Sequence, residues 1–360
     1  MNNTQLMGII IRMRKKIVLT GGGTAGHVIP LLALLPLLEG NYEIHYIGRK
    51  EGAEKELTEN SGVVYHGIDC PRLTRGRLLE NLAVPFRLMR ARKEARAVLS
   101  HISPSLIVSK GGYVALPASL ECGKVPLLLH ESDTSLGLAN KLAAKRAAAI
   151  CSSFPLPPYG GRKIVHTGSP LRGGIYRGNA ERGRRMCGFY DNKKTLLVMG
   201  GSLGAKAIND WADAHIGELT SRYNVIHIRG RGNDAPRRNG YAPFSYISDP
   251  ADLFALTDLA VTRGGGNTLF ELGALRKPMI IVPLPKGASR GDQVKNAEFF
   301  EKHSLALSLD QNELNSLSGE LDLLEKKAPS LIAAMGDFAF DGTAKISEIC
   351  VALAESPHGS

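Results

Sequence analysis

A chain of 360 residues is longer than one hydrophobic core usually serves, because single cores stop growing at roughly 250–300 residues, and we therefore expect two domains. Hydrophobic residues at 43% and charged residues at 22% exclude a disordered chain, and 40 glycines beside 19 prolines show no collagen-like period. The net charge of +11 implies an anionic partner, whether nucleic acid, an acidic membrane leaflet or a phosphorylated substrate.

The five cysteines are too widely spaced to indicate a disulfide framework or a zinc site, so a reducing compartment fits the composition. The longest apolar run, residues 28–38, is shorter than the ~18–20 residues that a membrane-spanning helix needs. We find no Asp-x-Asp pair or His-x-x-x-His motif, and we expect neither a bound metal nor a cofactor. Met13 is a candidate natural start, which would leave residues 1–12 as a loose extension.

The first predicted unit is a strand over residues 16–20, a glycine turn and the start of a helix. Gly21, Gly23 and Gly26 satisfy the G-x-G-x-x-G spacing, in which glycines let a phosphate approach the backbone near a helix N-terminus. A dinucleotide site would also need an acidic residue after the second strand, which we predict over residues 43–47. Gly48-Arg49-Lys50 follows that strand instead, so a nicotinamide-dependent oxidoreductase is a weak alternative.

His27 falls in the first turn of the predicted helix, where the positive helix end favours a neutral imidazole. A neutral histidine beside a cleft is a candidate general base for an alcohol. A purely structural histidine is the alternative.

A basic segment occupies residues 72–96, with eight Lys or Arg and two Glu, a local charge of +6. Apolar side chains are interleaved with these charges, a pattern suited to an anionic membrane surface. The alternative is a solvated helix with one core stripe. Nucleic acid is disfavoured, because Phe86 is the only aromatic residue in the segment.

Further strands and helices alternate along both halves of the chain. We predict strands at residues 105–109 and 125–130, then, after a Pro/Gly-rich linker at 155–178, strands at 195–199, 224–228, 259–262 and 279–283. This alternation indicates two parallel sheets in series, that is, paired Rossmann-like domains facing a cleft. A last helical pattern over residues 329–353 is able to pack on either domain.

Three glycines, residues 264–266, end a strand in the second half and precede Asn267 and Thr268. Backbone amides there are suited to a diphosphate, and Glu271 is placed to accept both hydroxyls of a ribose. A tight turn with a capping Asn and a first-turn Glu is the alternative. Downstream, Gln293 and Asn296 share one helix face, where two amides suit the hydroxyls of a sugar and a solvated face is the alternative.

Taken together, these motifs closely resemble the MurG family, the membrane-associated transferases that add N-acetylglucosamine to the lipid-linked muramyl-peptide precursor of peptidoglycan. The resemblance runs in order from about Met13 to beyond residue 300, through segments 22–27, 109–113, 130–133, 168–172, 200–205, 263–271 and 292–296. It is most similar to the version found in low-GC Gram-positive bacteria.

The resemblance implies an α/β GT-B fold and an inverting transfer from UDP-N-acetylglucosamine to the 4-hydroxyl of the lipid-linked muramyl sugar, without a metal. Its domains would be residues 13–165 for the acceptor and membrane, residues 166–335 for the UDP-sugar, and a C-terminal helix and tail at 336–360. Another lipid glycosyltransferase and a UDP-N-acetylglucosamine 2-epimerase are the related alternatives. Such an enzyme would work peripherally on the cytoplasmic face of the cell membrane, with cell-wall synthesis proteins as candidate partners.

Residue roles are likewise implied by the motifs. The diphosphate would meet Ser202, Arg172 and the amides of Gly265, Gly266, Asn267 and Thr268. Glu271 would take the ribose, the Ile247 backbone the uracil, and Gln293 with Asn296 the sugar. Thr24, Ala25, Gly26 and His27 would line the acceptor side. We expect membrane docking through a set of basic and apolar residues: Arg75, Arg77, Leu78, Leu79, Leu82, Phe86, Arg87 and Arg90.

Overall fold

Two parallel β-sheets dominate the computed structural model, which describes residues 14–70, 84–201, 204–285 and 291–356. The first sheet contains seven strands: β1 Lys15–Thr20, β2 Tyr42–Arg49, β3 Val64–Ile68, β4 Leu106–Ser109, β5 Leu127–Glu131, β6 Ala149–Ser152 and β7 Val165–His166. The second contains six: β8 Thr195–Met199, β9 Asn224–Ile228, β10 Tyr241–Phe244, β11 Leu259–Thr262, β12 Met279–Ile281 and β13 Leu307–Ser308.

Helices cross over between successive strands, as parallel pairing requires. Those of the first half are α1 Ala25–Leu32, α2 Leu35–Leu38, α3 Ala53–Thr58, α4 Val84–Ile102, α5 Gly112–Leu120 and α6 Leu138–Ala143. Those of the second half are α7 Ala180–Cys187, α8 Lys206–Arg222, α9 Ala251–Leu256, α10 Gly266–Ala274, α11 Asp292–Lys302, α12 Leu317–Gly336 and α13 Thr343–Glu355. Short 3₁₀ turns occupy Ala144–Arg146, Ile175–Arg177 and Gln311–Ser316.

The strand order reverses at an equivalent point in each sheet. The first sheet has the order β3-β2-β1-β4-β5-β6-β7 and the second β10-β9-β8-β11-β12-β13, so β1 neighbours β4 and β8 neighbours β11. Strand β1 pairs in parallel with β2 and β4, and β8 pairs in parallel with β9 and β11. Open α/β sheets bind ligands at the carboxyl ends of the strands where the order reverses. The glycine turns after β1 and β8 both lie at such a point.

Both faces of the sheets are buried, which is why the strand sequences are continuous apolar runs rather than alternating ones. One hydrophobic cluster surrounds the second sheet, and two clusters cover the two faces of the first. The two central strands of the first sheet carry fully buried residues such as Val18, Leu19 and Ile107. These rigid strands fix the positions of the loops at their carboxyl ends.

The connection between the domains is shorter than the linker predicted over residues 155–178. Strand β7 lies within that range and pairs with β6, so the first sheet extends into the predicted linker. A strand of two residues is too short to be detected from hydrophobic periodicity in the sequence. The chain leaves the first domain near Gly168, which has a φ of 85° and no room for a side chain, because a Cβ there would lie 2.7 Å from the carbonyl oxygens of Ala339 and Phe340.

The helical pattern predicted over residues 329–353 consists of two helices, not one. Helix α12 begins at Leu317 and ends at Gly336, and the chain then crosses back beside the first crossing, where the Ser169 amide donates to the Phe340 carbonyl at 2.8 Å. Helix α13 packs on the first sheet, with Ile346 and Cys350 fully buried among its core residues. The carboxylate of Glu355 also accepts from the Tyr42 hydroxyl at 2.9 Å.

Candidate active site

A cavity of about 420 Å³ lies between the two domains, at the carboxyl ends of both sheets. Most of the residues predicted to bind substrate line it: Thr24, Ala25, Gly26, His27, Arg172, Ile247, Gly265, Gly266, Asn267, Thr268, Glu271 and Gln293. We call this space the interdomain cavity. A cavity of this size, with charged and amide groups converging on it, is typical of a small-molecule site.

Helix α10 points its N-terminus into the interdomain cavity. Gly265 is its N-cap residue and no side chain caps the helix, so its first amides are free for an anion. The flanking glycines are required by close packing: a Cβ on Gly264 would lie 2.6 Å from the Gln293 carbonyl oxygen, and one on Gly266 would lie 2.7 Å from that of Ser132. The glycine run therefore lets three segments approach one another, and the helix end stays open.

Glu271 lies in the second turn of α10, rather than in the first turn that the capping alternative required. Its carboxylate accepts from Arg172, through Nε at 2.8 Å and Nη2 at 3.3 Å. Arg172 also donates to the Ser248 carbonyl at 2.8 Å, next to Ile247. A buried carboxylate held from one side by a planar guanidinium keeps lone pairs for a further donor on its other side.

Asn296 is fully buried, so the solvated-face interpretation of this helix was wrong. Its amide nitrogen donates to the Gly264 carbonyl at 3.0 Å and to Asp133 Oδ1 at 3.1 Å, and its oxygen accepts from the Thr134 amide at 3.3 Å. Asn296 joins the two domains and does not line the interdomain cavity, whereas Gln293, which does, accepts from the Leu284 amide at 3.0 Å.

The acceptor-side loop of the first domain also contacts the second domain. Asn267 Nδ2 donates to the Gly26 carbonyl at 2.9 Å, across the boundary between the domains. His27 is the third residue of α1, and Thr24 is the N-cap residue of that helix. The His27 Nδ1 atom is 3.0 Å from the Thr24 hydroxyl. The imidazole therefore lies in the first helical turn, on the wall of the interdomain cavity.

Three cavity residues carry chemistry that the sequence-based predictions assigned no role. Burial lowers the pKa of the Lys110 ammonium to about 7. Burial, followed by the charge of Glu131, raises the pKa of the Asp133 carboxyl to about 6. Ser132 lies between them and contacts Lys110. Their positions directly after β4 and β5 were visible in the sequence, but their burial depends on the second domain and was not.

Some predicted site residues lie outside the described part of the chain: Ser202, Arg75, Arg77, Leu78, Leu79 and Leu82. The remaining predicted docking residues are at the start of α4, where Phe86 is 76% exposed and Arg87 and Arg90 are exposed beside it. Among residues 14–70, 84–201, 204–285 and 291–356, no helix has the length and apolarity to span a bilayer. The same residues contain no group of three or more His, Cys, Asp or Glu arranged to hold a metal.

Family models match both halves of the chain. Residues 17–152 match the glycosyltransferase family 28 N-terminal domain, and residues 195–348 match its C-terminal domain. The chain belongs to glycosyltransferase family 28. It is therefore a glycosyltransferase, and the oxidoreductase and nucleic-acid-binding alternatives are set aside.

Similar proteins in clostridia carry a specific name. The chain is 44% identical over 84% of its length to a Clostridium tetani protein, of which it covers 87%, and 40% identical over 93% to a Clostridium botulinum protein, of which it covers 98%. Both are named UDP-N-acetylglucosamine--N-acetylmuramyl-(pentapeptide) pyrophosphoryl-undecaprenol N-acetylglucosamine transferase.

Solved structures agree with the two-domain architecture. A crystal structure of Acinetobacter baumannii MurG matches with a TM-score of 0.73 at 24% identity, covering 94% of this chain and 99% of that one. The Streptomyces glycosyltransferase SsfS6, in complex with thymidine diphosphate, matches with a TM-score of 0.63 at 15% identity, covering 94% and 100%. The expected GT-B fold, two Rossmann-like domains facing a cleft, is confirmed.

Proposed function

We propose that this glycosyltransferase moves N-acetylglucosamine from UDP-N-acetylglucosamine to the 4-hydroxyl of the muramyl sugar on an undecaprenyl-diphosphate-linked peptide. The product is the disaccharide lipid precursor of peptidoglycan. We base this on one arrangement: an open helix N-terminus, a paired carboxylate and an amide in the second domain face the glycine turn and histidine of the first across a single cavity. The clostridial relatives, which are named for this reaction, support the same substrates.

On the donor side, the amides of Gly265 to Thr268 and the nearby Arg172 would hold the diphosphate, because helix N-termini and guanidinium groups both favour anions. Glu271, with one side already occupied by Arg172, would accept from the ribose hydroxyls. The Ile247 backbone would meet the uracil, and Gln293 would meet the sugar. Asn296 would reach a sugar hydroxyl only after releasing Asp133 and Thr134, so we assign donor binding by this amide to a different domain arrangement.

On the acceptor side, Thr24, Ala25, Gly26 and His27 would contact the lipid-linked substrate. Transfer would proceed with inversion, as the muramyl oxygen attacks the anomeric carbon from the face opposite the departing diphosphate. Charge develops on that diphosphate as the bond breaks, and fixed donors aimed at it stabilise the transition state. Holding both substrates in one cavity also supplies the entropic advantage of an intramolecular reaction.

The acceptor is a lipid, so the enzyme would work at the cytoplasmic face of the cell membrane as a peripheral protein. The exposed start of α4 supports this, because Phe86 and Met89, 76% and 66% exposed, lie beside Arg87 and Arg90. Apolar side chains flanked by cations match a leaflet of anionic lipid.

Incubation of the purified chain with radiolabelled UDP-N-acetylglucosamine and the lipid-linked muramyl peptide tests the proposal directly. We expect the label to move to the lipid fraction. Label that stays with the nucleotide, or is released as free N-acetylmannosamine, would contradict it, the latter in favour of a 2-epimerase. A second lipid acceptor without the muramyl sugar is the control for acceptor identity.

A further inference from the structure

Lys110 is a buried lysine that takes no part in the substrate binding proposed above. It follows β4 directly, at the point where the strand order of the first sheet reverses, and its residue surface is only 3% exposed. The side chain nonetheless reaches the wall of the interdomain cavity. Burying an ammonium group is costly, and a buried lysine tends to lose its proton instead.

The hydrogen bonds of Lys110 define what its amine does. His130 Nε2 is 3.1 Å from the Gly168 carbonyl oxygen, which only accepts, so Nε2 carries the imidazole hydrogen and Nδ1 is an acceptor. Lys110 Nζ lies 2.5 Å from that Nδ1 and donates to it. Its other partner is the Ser132 hydroxyl. As an ammonium, Lys110 Nζ donates to both partners; as a neutral amine it still donates to His130 and has a lone pair to accept the Ser132 hydrogen.

Titratable and charged groups face Lys110 from its neighbouring elements. Glu131 and Asp133 follow β5, and the Cys151 thiol lies on β6; all three raise the pKa of Lys110, but burial lowers it by more, to about 7. His27, from α1, and Arg172 line the same cavity. Burial, followed by the charge of Lys110, lowers the pKa of His130 well below its ordinary value, so the imidazole stays neutral. Two of these groups thus change charge around neutral pH, the Lys110 amine with a pKa near 7 and the Asp133 carboxyl with a pKa near 6, and Asp133→Asn separates them.

Ser132 lies opposite the place proposed for the leaving group. Its carbonyl oxygen packs against Gly266, the first residue of α10, whose N-terminus would hold the diphosphate. The Ser132 backbone is fixed by Glu131, whose carboxylate accepts from the amides of Ser132 at 2.9 Å and Gly137 at 2.8 Å. Ser132 also lines the interdomain cavity, so its hydroxyl is carried on a fixed backbone beside the proposed diphosphate site, where a group that receives a proton from an attacking alcohol is needed.

We propose that Ser132 and Lys110 form the proton relay that activates the acceptor, an inference that rests on the proposed function. The muramyl 4-oxygen forms a bond to the anomeric carbon as the bond from that carbon to the UDP oxygen breaks, and UDP leaves with the electron pair. The 4-hydroxyl proton passes to Ser132 Oγ while the Ser132 hydrogen passes to Lys110 Nζ, which becomes an ammonium. That proton is then released to solvent when the products leave.

The relay is tested by turnover of the full-length enzyme with saturating UDP-N-acetylglucosamine and lipid acceptor between pH 5.5 and 9. For the native enzyme we expect kcat to rise with pH, with a midpoint near 7, because only the neutral amine accepts a proton. Ser132→Ala should lower kcat by about 10²- to 10⁴-fold with little change in the KM for the donor, and Ser132→Thr, which keeps the hydroxyl, should restore most of it. Lys110→Met should lower kcat similarly and abolish the rise with pH.

Lys110→Arg separates a chemical role from a structural one. Arginine donates hydrogen bonds but does not lose its proton, so the relay predicts that this variant is as slow as Lys110→Met. Binding of UDP and the thermal unfolding midpoint report whether each variant is folded, and Ser132→Ala keeps the buried lysine if the Lys110 variants fail to fold. In Asp133→Asn the rise of kcat near pH 7 should persist.

The outcomes distinguish this relay from the proposed function itself. If the native enzyme transfers no label to the lipid, the proposed function fails. If it does transfer label but Ser132→Ala retains native kcat, or Lys110→Met retains the rise with pH, the relay alone is overturned. A rise that disappears in a His27 variant but not in Lys110→Met would assign the base to His27.

Discussion

At the scale of single residues, Arg172 occupies one side of the Glu271 carboxylate and leaves the other side for the proposed ligand. Arg172 orients Glu271 through two hydrogen bonds and also reaches the Ser248 carbonyl. Arg172 therefore positions the carboxylate that we propose binds the ribose, besides lying near the proposed diphosphate site. Both partners are largely buried, so a substitution at either one leaves the other without its partner in a poorly solvated site.

Glu271→Gln should weaken UDP binding by about 10- to 100-fold, since a hydrogen bond to a charged group contributes roughly 1.5–3 kcal/mol. Isothermal titration of UDP measures this, and circular dichroism reports that the fold is kept. Glu181→Gln is the matched control, because this glutamate of the same domain is highly exposed and does not line the interdomain cavity. Equal affinity in Glu271→Gln and the native enzyme would refute the ribose assignment.

Asp133 lowers the stability of the protein at neutral pH. Its pKa of about 6 lies above the ~3.9 of an unfolded chain, so the folded state binds the proton more tightly. Stability from this group is therefore fully present below pH 4 and is lost as the pH rises through 6. Whether Asp133 is protonated or ionised, the Asn296 amide still donates to its Oδ1.

Asp133→Asn should consequently stabilise the protein at pH 7, by up to about 3 kcal/mol for a pKa raised from ~3.9 to about 6, and have little effect at pH 4. Comparing the first thermal transition of the variant and native proteins at the two pH values measures the difference. A stability difference that is the same at pH 4 and pH 7 would mean that the Asp133 carboxyl does not titrate as described.

At the scale of elements, the two domains meet where the start of α10 touches the loop after β5. Gly266 packs against the Ser132 carbonyl and permits no Cβ, whereas Gly265 has no atom within 4 Å of the position that its Cβ would take. Neither residue has a positive φ. The requirement for glycine at position 266 therefore comes from close approach between domains and not from backbone conformation.

Gly266→Ala should hold α10 away from the first domain and slow transfer by about tenfold or more, because overpacking of a tight contact costs roughly 1–3 kcal/mol. Gly265→Ala is the matched control for packing: its Cβ meets no protein atom, so the spacing of the domains should stay native. Small-angle scattering measures that spacing, and kcat measures transfer. An unchanged scattering profile in Gly266→Ala would contradict the close-approach explanation.

The exposed start of α4 makes a second element-scale prediction. Reversing Arg87 and Arg90 to Glu should weaken binding to anionic vesicles by at least about 30-fold, since each basic residue near the surface contributes about 1 kcal/mol. Arg185 and Arg238, exposed in the second domain, provide a charge-matched double reversal that should bind almost normally. Cosedimentation with vesicles of anionic lipid measures both, and equal loss in the two variants would mean that only net charge matters.

At the scale of the whole molecule, the two-domain plan and the glycine turns were predictable because they rest on local patterns. Continuous apolar strands, glycines at their ends and helical periodicity are properties of short windows of sequence. The buried lysine at position 110 was not predictable in this way, because its burial depends on chain segments distant in sequence. The full burial of Asn296 was likewise not predictable, since its partners Asp133 and Thr134 belong to the other domain.

The path of the chain between the domains was the other feature beyond local reasoning. Two crossing segments run side by side, joined by hydrogen bonds between Ser169 and both Phe340 and Gly342. A Cβ on Gly168 or Gly342 would lie 2.7 Å from carbonyl oxygens of the opposite segment. Both segments connect the same two domains, so any rotation of one domain relative to the other must bend both segments at this paired crossing.

The double crossing makes the last helix of the chain part of the first domain's core. Ile346 on α13 is fully buried against the first sheet, so Ile346→Ala should destabilise that domain by about 2–5 kcal/mol through lost burial and the cavity left behind. Val351, on the same helix and 37% exposed, provides the control, and Val351→Ala should cost under about 0.5 kcal/mol. Amide hydrogen exchange should then accelerate in β1 and β4 while β8 and β11 keep native protection, although α13 follows the second domain in sequence. Faster exchange in β8 and β11 instead would mean that α13 stabilises the domain it follows and that the first sheet does not need it.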